Sequence, residues 1–197
     1  MDITFRVILA VVFIGFVAHR SYYSRKFPAS AEDTVVVQRS GAGALVTGVL
    51  AVAGLASVVV YVAFPARIAF ASLPLPAWLR WLGVAAAVGG FALLQWAQTT
   101  LGRNWSDTPR ITRDQALVTH GPYQWIRHPI YTAFLLILGS SLLIAANWLV
   151  GGLWIVMTAA DAYGRIRFEE EKLLAQFGEA YRDYQARTGR LLPRIRA

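Results

Sequence analysis

Three stretches of this chain, residues 40–66, 81–102 and 129–160, contain no Asp, Glu, Lys or Arg. A helix crossing the hydrocarbon of a bilayer needs roughly 20 apolar residues, because no water is present there to satisfy free backbone groups. Each window is long enough for such a helix. Gly41 to Phe64 fills the first, Trp81 to Thr100 the second, and a shorter apolar segment, Ile3 to Ala18, precedes Arg20. That segment reads as a retained span rather than a signal peptide. Ala18-His19-Arg20 is followed by aromatic and basic residues, not by a small-residue cleavage site. Composition agrees with a membrane protein: of 197 residues 56% are hydrophobic and only 15% charged, with a mean hydropathy of +0.47.

The third window is too long for one helix and short for two complete spans, with Ala146-Asn147-Trp148 near its middle. Charge placement arbitrates, because cytoplasmic loops are enriched in Lys and Arg. If the window is a hairpin, the basic residues of the loops and tail divide 16 to 1 between the two membrane faces; if it is one helix they divide 8 to 9. The asymmetric solution predicts an all-α integral membrane protein of five transmembrane helices, the last two a hairpin, with a cytoplasmic amphipathic C-terminal helix. One membrane domain, 1–197, is expected. Residues 1–100 supply three N-terminal spans; residues 101–197 supply a polar loop, the hairpin and the C-terminal helix. In a bacterium the membrane would be the plasma (inner) membrane.

The net charge of +8 is explained by attraction to anionic membrane lipids, so no nucleic-acid partner is expected. Without cysteine, disulfides, thiolate metal sites and cysteine nucleophiles are excluded. Three histidines with no HExxH give no reason to expect a metal. No GxGxxG or GxxxxGK[ST] is present to suggest a soluble nucleotide fold.

Chemistry concentrates in two polar clusters flanking the hairpin. In HGPYQWIRHPIY, His120 to Tyr131, Pro129 suits the first turn of a helix, which leaves Arg127 and His128 at its N-terminus. Such an end offers free N–H groups and partial positive charge to a carboxylate or phosphate; equally, Arg127 could be a positive-inside anchor and His128 a helix cap. In RIRFEEEKLL, Arg165 to Leu174, Glu170 falls on the apolar stripe with Ile166 and Leu173. A carboxylate there needs a partner or a ligand. Arg165 and Glu169, four apart, share the adjoining face, while Glu171 and Lys172 point to water. The tail continues with Phe177, Tyr181 and Tyr184 at helical spacing, with a possible break at Gly178; it could lie along the membrane or fold back on the spans. Both clusters fall on one membrane face, so they can meet at the mouth of the hairpin.

Four motifs in order, LGRNWS (101–106), QALVTHGPYQWIRHPIY (115–131), RIRFEE (165–170) and FGEAYRDY (177–184), resemble the isoprenylcysteine carboxyl methyltransferase family and the related phospholipid N-methyltransferases. The resemblance implies an S-adenosyl-L-methionine site outside any Rossmann fold, formed by Gln115, Ala116, Leu117, Val118, Tyr123, His128, Pro129, Ile130 and Tyr131, to which Arg127 is added from its place at the helix N-terminus. It implies further that Arg165 faces the methyl acceptor, that Glu169 faces the cofactor, and that Glu170 completes a catalytic group with both. The expected substrate is a lipophilic small molecule or lipid, most like the carboxylate of a prenylated cysteine or a related isoprenoid thiol.

Methyl transfer from a sulfonium is a direct displacement, which asks a protein to position two reactants and exclude water rather than to supply a nucleophile. Tyr123 or Tyr131 could stack on adenine, the helix end at His128 could hold the methionyl carboxylate, and Glu169 could offset the cationic part. An arginine can clamp an acceptor carboxylate through two parallel hydrogen bonds, which suits Arg165. Two other readings stay open. The C-terminal region is also similar to membrane sterol reductases, where NADPH would draw on Arg110 and Arg113, and a non-catalytic scaffold or carrier would use its charges for orientation alone.

Overall fold

The computed structural model describes residues 2–27, 41–104 and 116–194. Its helices are α1 (Ile3–Lys26), α2 (Gly41–Ala63), α3 (Ala77–Leu101), α4 (Pro129–Gly139), α5 (Ser141–Ala145), α6 (Trp148–Phe177) and α7 (Glu179–Arg187). Short 3-10 turns occupy Pro65–Ala71, Gly102–Asn104 and Gly121–Gln124. Three helices, Ile3–Lys26, Leu45–Ala63 and Ala77–Leu101, are long and apolar enough to cross a membrane, and Pro129–Ala145 is a shorter apolar helix.

Local sequence sets most boundaries. The Asp2 carboxylate caps α1 by accepting from Thr4 N at 2.9 Å, and Arg25 and Lys26 complement its other end. Pro76 precedes α3, and Gly102, at φ 53°, ends it. The α4–α5 pair is interrupted at Ser140 and Ser141, whose hydroxyls donate back to the carbonyls of Ile137 and Leu138 at 2.7 and 2.5 Å.

The hairpin expected in the third window is present, and its turn is Ala146-Asn147. Ala146 takes a left-handed conformation, φ 47°. Asn147, fully buried, accepts from Leu149 N and Val150 N at 3.1 Å each and thereby caps α6. Its amide also donates to Ile68 O at 3.0 Å, and Leu73 N donates to Ala146 O at 2.7 Å. The hairpin tip is thus stitched to the α2–α3 connection.

α3 packs along the hairpin through Gly83, Ala87, Gly90, Leu94 and Ala97, all buried at helical spacing. A Cβ on Gly83 would stand 2.7 Å from Leu143 Cβ, and one on Gly90 the same distance from Ile137 Cγ1. The backbones therefore approach as closely as small residues allow. Outward, Val7, Val11, Ile14, Val49, Val52, Val59 and Val88 are exposed, a surface suited to lipid and not to water. Exposed Phe70, Trp78 and Trp148 ring one end and Trp96 and Trp125 the other, as expected where aromatic side chains sit at both interfaces.

Arg6 lies inside the first apolar segment, where the sequence reading took no account of it. Its guanidinium donates to Val62 O, with Nε at 2.9 Å. Arg80, at the same end, donates to Ile144 O at 2.8 Å, reaches Tyr61 and lies 3.8 Å over the Phe5 ring. Both cations bind backbone carbonyls at helix ends, so neither is an unpaired charge in the bundle.

Candidate functional site

At the opposite end of the bundle the two polar clusters meet. Gly121, at φ 60°, begins the turn Gly121–Gln124, which buries Pro122 and Tyr123. The chain then reaches α4, with Pro129 in its first turn and His128 at the capping position; the imidazole makes no capping bond. Facing it is the part of α6 beyond Ala160, which carries Asp161, Arg165, Glu169 and Glu170 clear of the apolar stretch.

Glu169 and Glu170 flank His128 from either side. His128 Nδ1 lies 3.4 Å from Glu169 Oε2, and Nε2 lies 3.4 Å from Glu170 Oε1. The Tyr131 hydroxyl donates to Glu169 Oε1. Burial works against a charged imidazole, yet hydrogen bonds and charge attraction from the two carboxylates outweigh it and raise the His128 pKa. His128 accordingly bridges α4 to α6, and both carboxylates favour its charged form.

Glu170 is the centre of an ionic knot. Arg127 Nε donates to its Oε1 at 3.1 Å, and Arg190 reaches both oxygens, Nε lying 3.3 Å from Oε1. Burial raises its pKa, but His128, Arg190 and Arg127 together override that and hold it at about 2. The need for a partner that its place on the apolar stripe implied is met by Arg127, Arg190 and His128. Arg127 Nη1 also donates to Gln185 O at 3.1 Å and to Thr188 O at 2.5 Å. Glu170 and Arg127, expected as a catalytic and a cofactor-binding residue, both belong to this knot. Both are turned inward, 8% and 11% exposed at the side chain.

Arg165 stands one turn before Glu169 on α6 but pairs with Asp161, Nε to Oδ2 3.0 Å, and its side chain is about a quarter exposed. Glu169, similarly exposed, is the carboxylate left at the rim. Ile130 is half-buried beside His128 and Tyr131, and Ala116, Leu117 and Val118 lead to the turn without regular secondary structure. Gln115, like Arg110 and Arg113, lies outside the described residues. Glu171 and Lys172 are exposed, as the helical face requires.

Tyr123 is buried with its carbonyl accepting from the Tyr184 hydroxyl at 2.6 Å, while its own hydroxyl has no hydrogen-bond partner among the described residues. Burial raises its pKa.

Sequence reasoning missed the segment that closes the knot. Gly178, at φ 53°, breaks the tail helix where expected, and α7 folds back, burying Tyr181 and Tyr184. The chain then pairs with the HGPY cluster. Gly189 N donates to Trp125 O at 3.0 Å, Arg127 N to Gly189 O at 2.8 Å, His128 N to Arg190 O at 3.1 Å and the Thr132 hydroxyl to Leu191 O at 2.6 Å. Arg190 had been visible only as one of the tail's basic residues; the lone signal for it was a buried Glu170 in need of charge.

An apolar-sheathed helical bundle whose α4 and α6 hold a carboxylate–imidazole–phenol cluster at one end defines a polytopic membrane protein with a polar site at its surface. Residues 81–175 match the isoprenylcysteine carboxyl methyltransferase (ICMT) family. Over that region the chain is similar to this family. A protein-S-isoprenylcysteine O-methyltransferase of Tribolium castaneum is 32% identical over 120 residues, 60% of this chain and 43% of the relative. A methanethiol S-methyltransferase of Mycobacterium tuberculosis is 30% identical over 122 residues, 59% of this chain and 46% of that protein. A solved structure of the eukaryotic intramembrane Ras methyltransferase ICMT superposes with a TM-score of 0.57 at 28% identity, covering 81% of this chain and 55% of that one. The chain thus spans about half the length of the relatives it matches.

Proposed function

We propose that this protein is an integral membrane methyltransferase that uses S-adenosyl-L-methionine on a lipophilic acceptor, most like the carboxylate of a prenylated cysteine or a related isoprenoid thiol. The observation that carries the reading is the Tyr131–Glu169–His128 contact, because it joins two separate motifs of the family resemblance into one cluster. The unpartnered Tyr123 hydroxyl and the rim carboxylate of Glu169 fit a donor that has both hydrogen-bond acceptors and cationic groups. When bound, that donor supplies an electrophilic methyl group on sulfur.

The residues of this chain divide the remaining work. Glu169, oriented by Tyr131 and His128, offsets positive charge beside the reacting centre. Tyr123 and Tyr131 offer aromatic faces to adenine, and residues 116–118 offer backbone groups to it. Arg165 holds the acceptor's carboxylate in line for displacement, which requires it to exchange Asp161 for the acceptor. Burial of His128 and Tyr123 limits water at the site.

Five spans within one membrane domain, with the site and C-terminal helix in the cytoplasm, complete the proposal. Its support is charge. Arg20, Arg25, Lys26, Arg127, Arg165, Arg167 and Lys172 lie toward the site end, whereas Arg6, Arg67 and Arg80 lie toward the other. Titration calorimetry of S-adenosyl-L-methionine against protein purified in detergent tests the reading. Saturable binding is expected, competed by S-adenosylhomocysteine and not by NADPH. A folded protein that binds neither sulfur nucleoside would refute it.

A further inference from the structure

Glu170 has two oxygens and three basic neighbours, and those neighbours are not interchangeable. Oε1 is shared by Arg127 Nε at 3.1 Å, Arg190 Nε at 3.3 Å and His128 Nε2 at 3.4 Å. Oε2 is held by Arg190 Nη2 and by no other side chain among the described residues. Arg190 is also the neighbour that water reaches: its side chain is 51% exposed, against 11% for Arg127 and 5% for His128.

The same residue fixes His128 twice. Its carbonyl accepts from His128 N at 3.1 Å, next to the strand-like pairing of Gly189 with Ile126, while its guanidinium bears on the imidazole through Glu170. His128 stands between two carboxylates, with Nδ1 3.4 Å from Glu169 Oε2, and the other oxygen of Glu169 takes the Tyr131 hydroxyl. Without Arg190, Glu170 would keep a buried oxygen with no counter-charge and would compete with Glu169 for the imidazole. Around this pair of carboxylates stand Tyr131 on α4, Arg127 ahead of it, Tyr123 of the turn, Tyr181 on α7, Arg165 on α6 and Arg20 on α1. Burial raises the pKa of all three tyrosines, and arginine stays charged, so the imidazole is the group whose titration reports the balance.

We propose that Arg190 is a positioning residue for methyl-donor binding: by occupying Glu170 Oε2 it keeps the imidazole of His128 on Glu169, and so holds Glu169 where the donor's cationic part would meet it. The inference rests on the methyltransferase reading for the identity of the donor. It adds a residue outside positions 81–175, over which the chain is similar to the family. Arg190 touches neither reactant on this view and acts through Glu170 and His128.

The test follows two quantities in the full chain in detergent. One is the dissociation constant of S-adenosyl-L-methionine; the other is the titration of the His128 ring, read by NMR of histidine labelled at Cε1. His128→Gln identifies the signal among three histidines. Arg190→Gln keeps the backbone pairing and removes the charge. It is expected to weaken donor binding roughly tenfold or more, the size of a lost charge-assisted hydrogen bond. It should also move the His128 midpoint to higher pH, because a cation that opposed protonation is gone. Arg190→Lys should restore most of the affinity and of the midpoint. Arg194→Gln removes the same charge from the same exposed segment, where its guanidinium donates to Ala186 O, and should change neither quantity. An unmoved His128 titration in Arg190→Gln overturns the inference even if affinity falls, since a destabilised tail alone would weaken binding without moving the ring. Wild-type donor affinity in Arg190→Gln overturns it as well and leaves the proposed function standing. If the wild type takes up no donor while Arg190→Gln still shifts the ring, the coupling of Arg190 to His128 stands, and the methyltransferase reading falls together with the donor part of the inference.

Discussion

His128 is the residue on which the two halves of the site depend, since it touches a carboxylate on each side. Its effect on stability has a definite sign. The folded pKa lies above the ordinary 6.5, so its contribution is complete below about 6.5 and is lost as pH rises through the folded value. Glu170 behaves oppositely: held at about 2, it contributes fully above its ordinary 4.5 and progressively less as pH falls toward 2. Thermal unfolding in detergent should therefore show greatest stability between about pH 4.5 and 6.5, and His128→Gln should remove the alkaline decline. A second residue-scale prediction separates the reactants. Tyr131→Ala frees Glu169 and should weaken S-adenosyl-L-methionine binding roughly tenfold or more, whereas Arg165→Ala should leave that affinity intact and lower the single-turnover rate. If Arg165→Ala abolished donor binding while Tyr131→Ala did not, the two reactants would have to be exchanged in the site.

Elements were legible in the sequence to the degree that their causes are local. Charge-free windows located α2 and α3 within a few residues, since exclusion of charge from hydrocarbon acts position by position. The hairpin turn at Ala146-Asn147 followed from length and charge asymmetry. Glu170 on an apolar stripe announced a buried partner, but not which one. Arg190 sits 20 residues further on, in a stretch without periodicity, and only the fold-back of α7 brings it near. The inward turn of Arg127 was hidden for the same reason, because two of its acceptors are backbone carbonyls, which a sequence does not distinguish. Asn147 combines both kinds of cause. It caps α6 locally and fastens Ile68 at long range, so Asn147→Ala should destabilise the protein by about 2 kcal/mol or more, seen as a lowered Tm in detergent. Asn147→Ser, which keeps an acceptor for the cap, should recover part of the loss.

For the whole molecule, the proposed orientation is open to a clean measurement because the chain has no cysteine. A cysteine placed at the exposed Glu171 and another at the exposed Ala69 stand at opposite ends of the bundle. In intact cells, an impermeant maleimide should label Ala69→Cys and spare Glu171→Cys; inverted vesicles should reverse the pattern. Labelling of both from one side would exclude the five-span arrangement. The same asymmetry explains why the basic residues serve two purposes, orienting the chain by number while a few of them, Arg127 and Arg190, are withdrawn to bind Glu170.

The backbone pairing of residues 189–190 with 125–128 also imposes an order on biosynthesis. Residues 189–191 leave the ribosome after every bundle helix has been made, so α4 and α6 enter the bilayer before Glu170 has its full set of cations. A premature stop codon after Arg187 should therefore yield a polypeptide that targets and inserts normally but lacks the clamp on His128. Such a product would pass a membrane-fractionation assay and fail a donor-binding one, with proteolysis at the 120–128 turn as its early sign. Assembly of the lipid-embedded scaffold and completion of its polar site are separate events in time, and quality control that inspects only the first would not detect loss of the second.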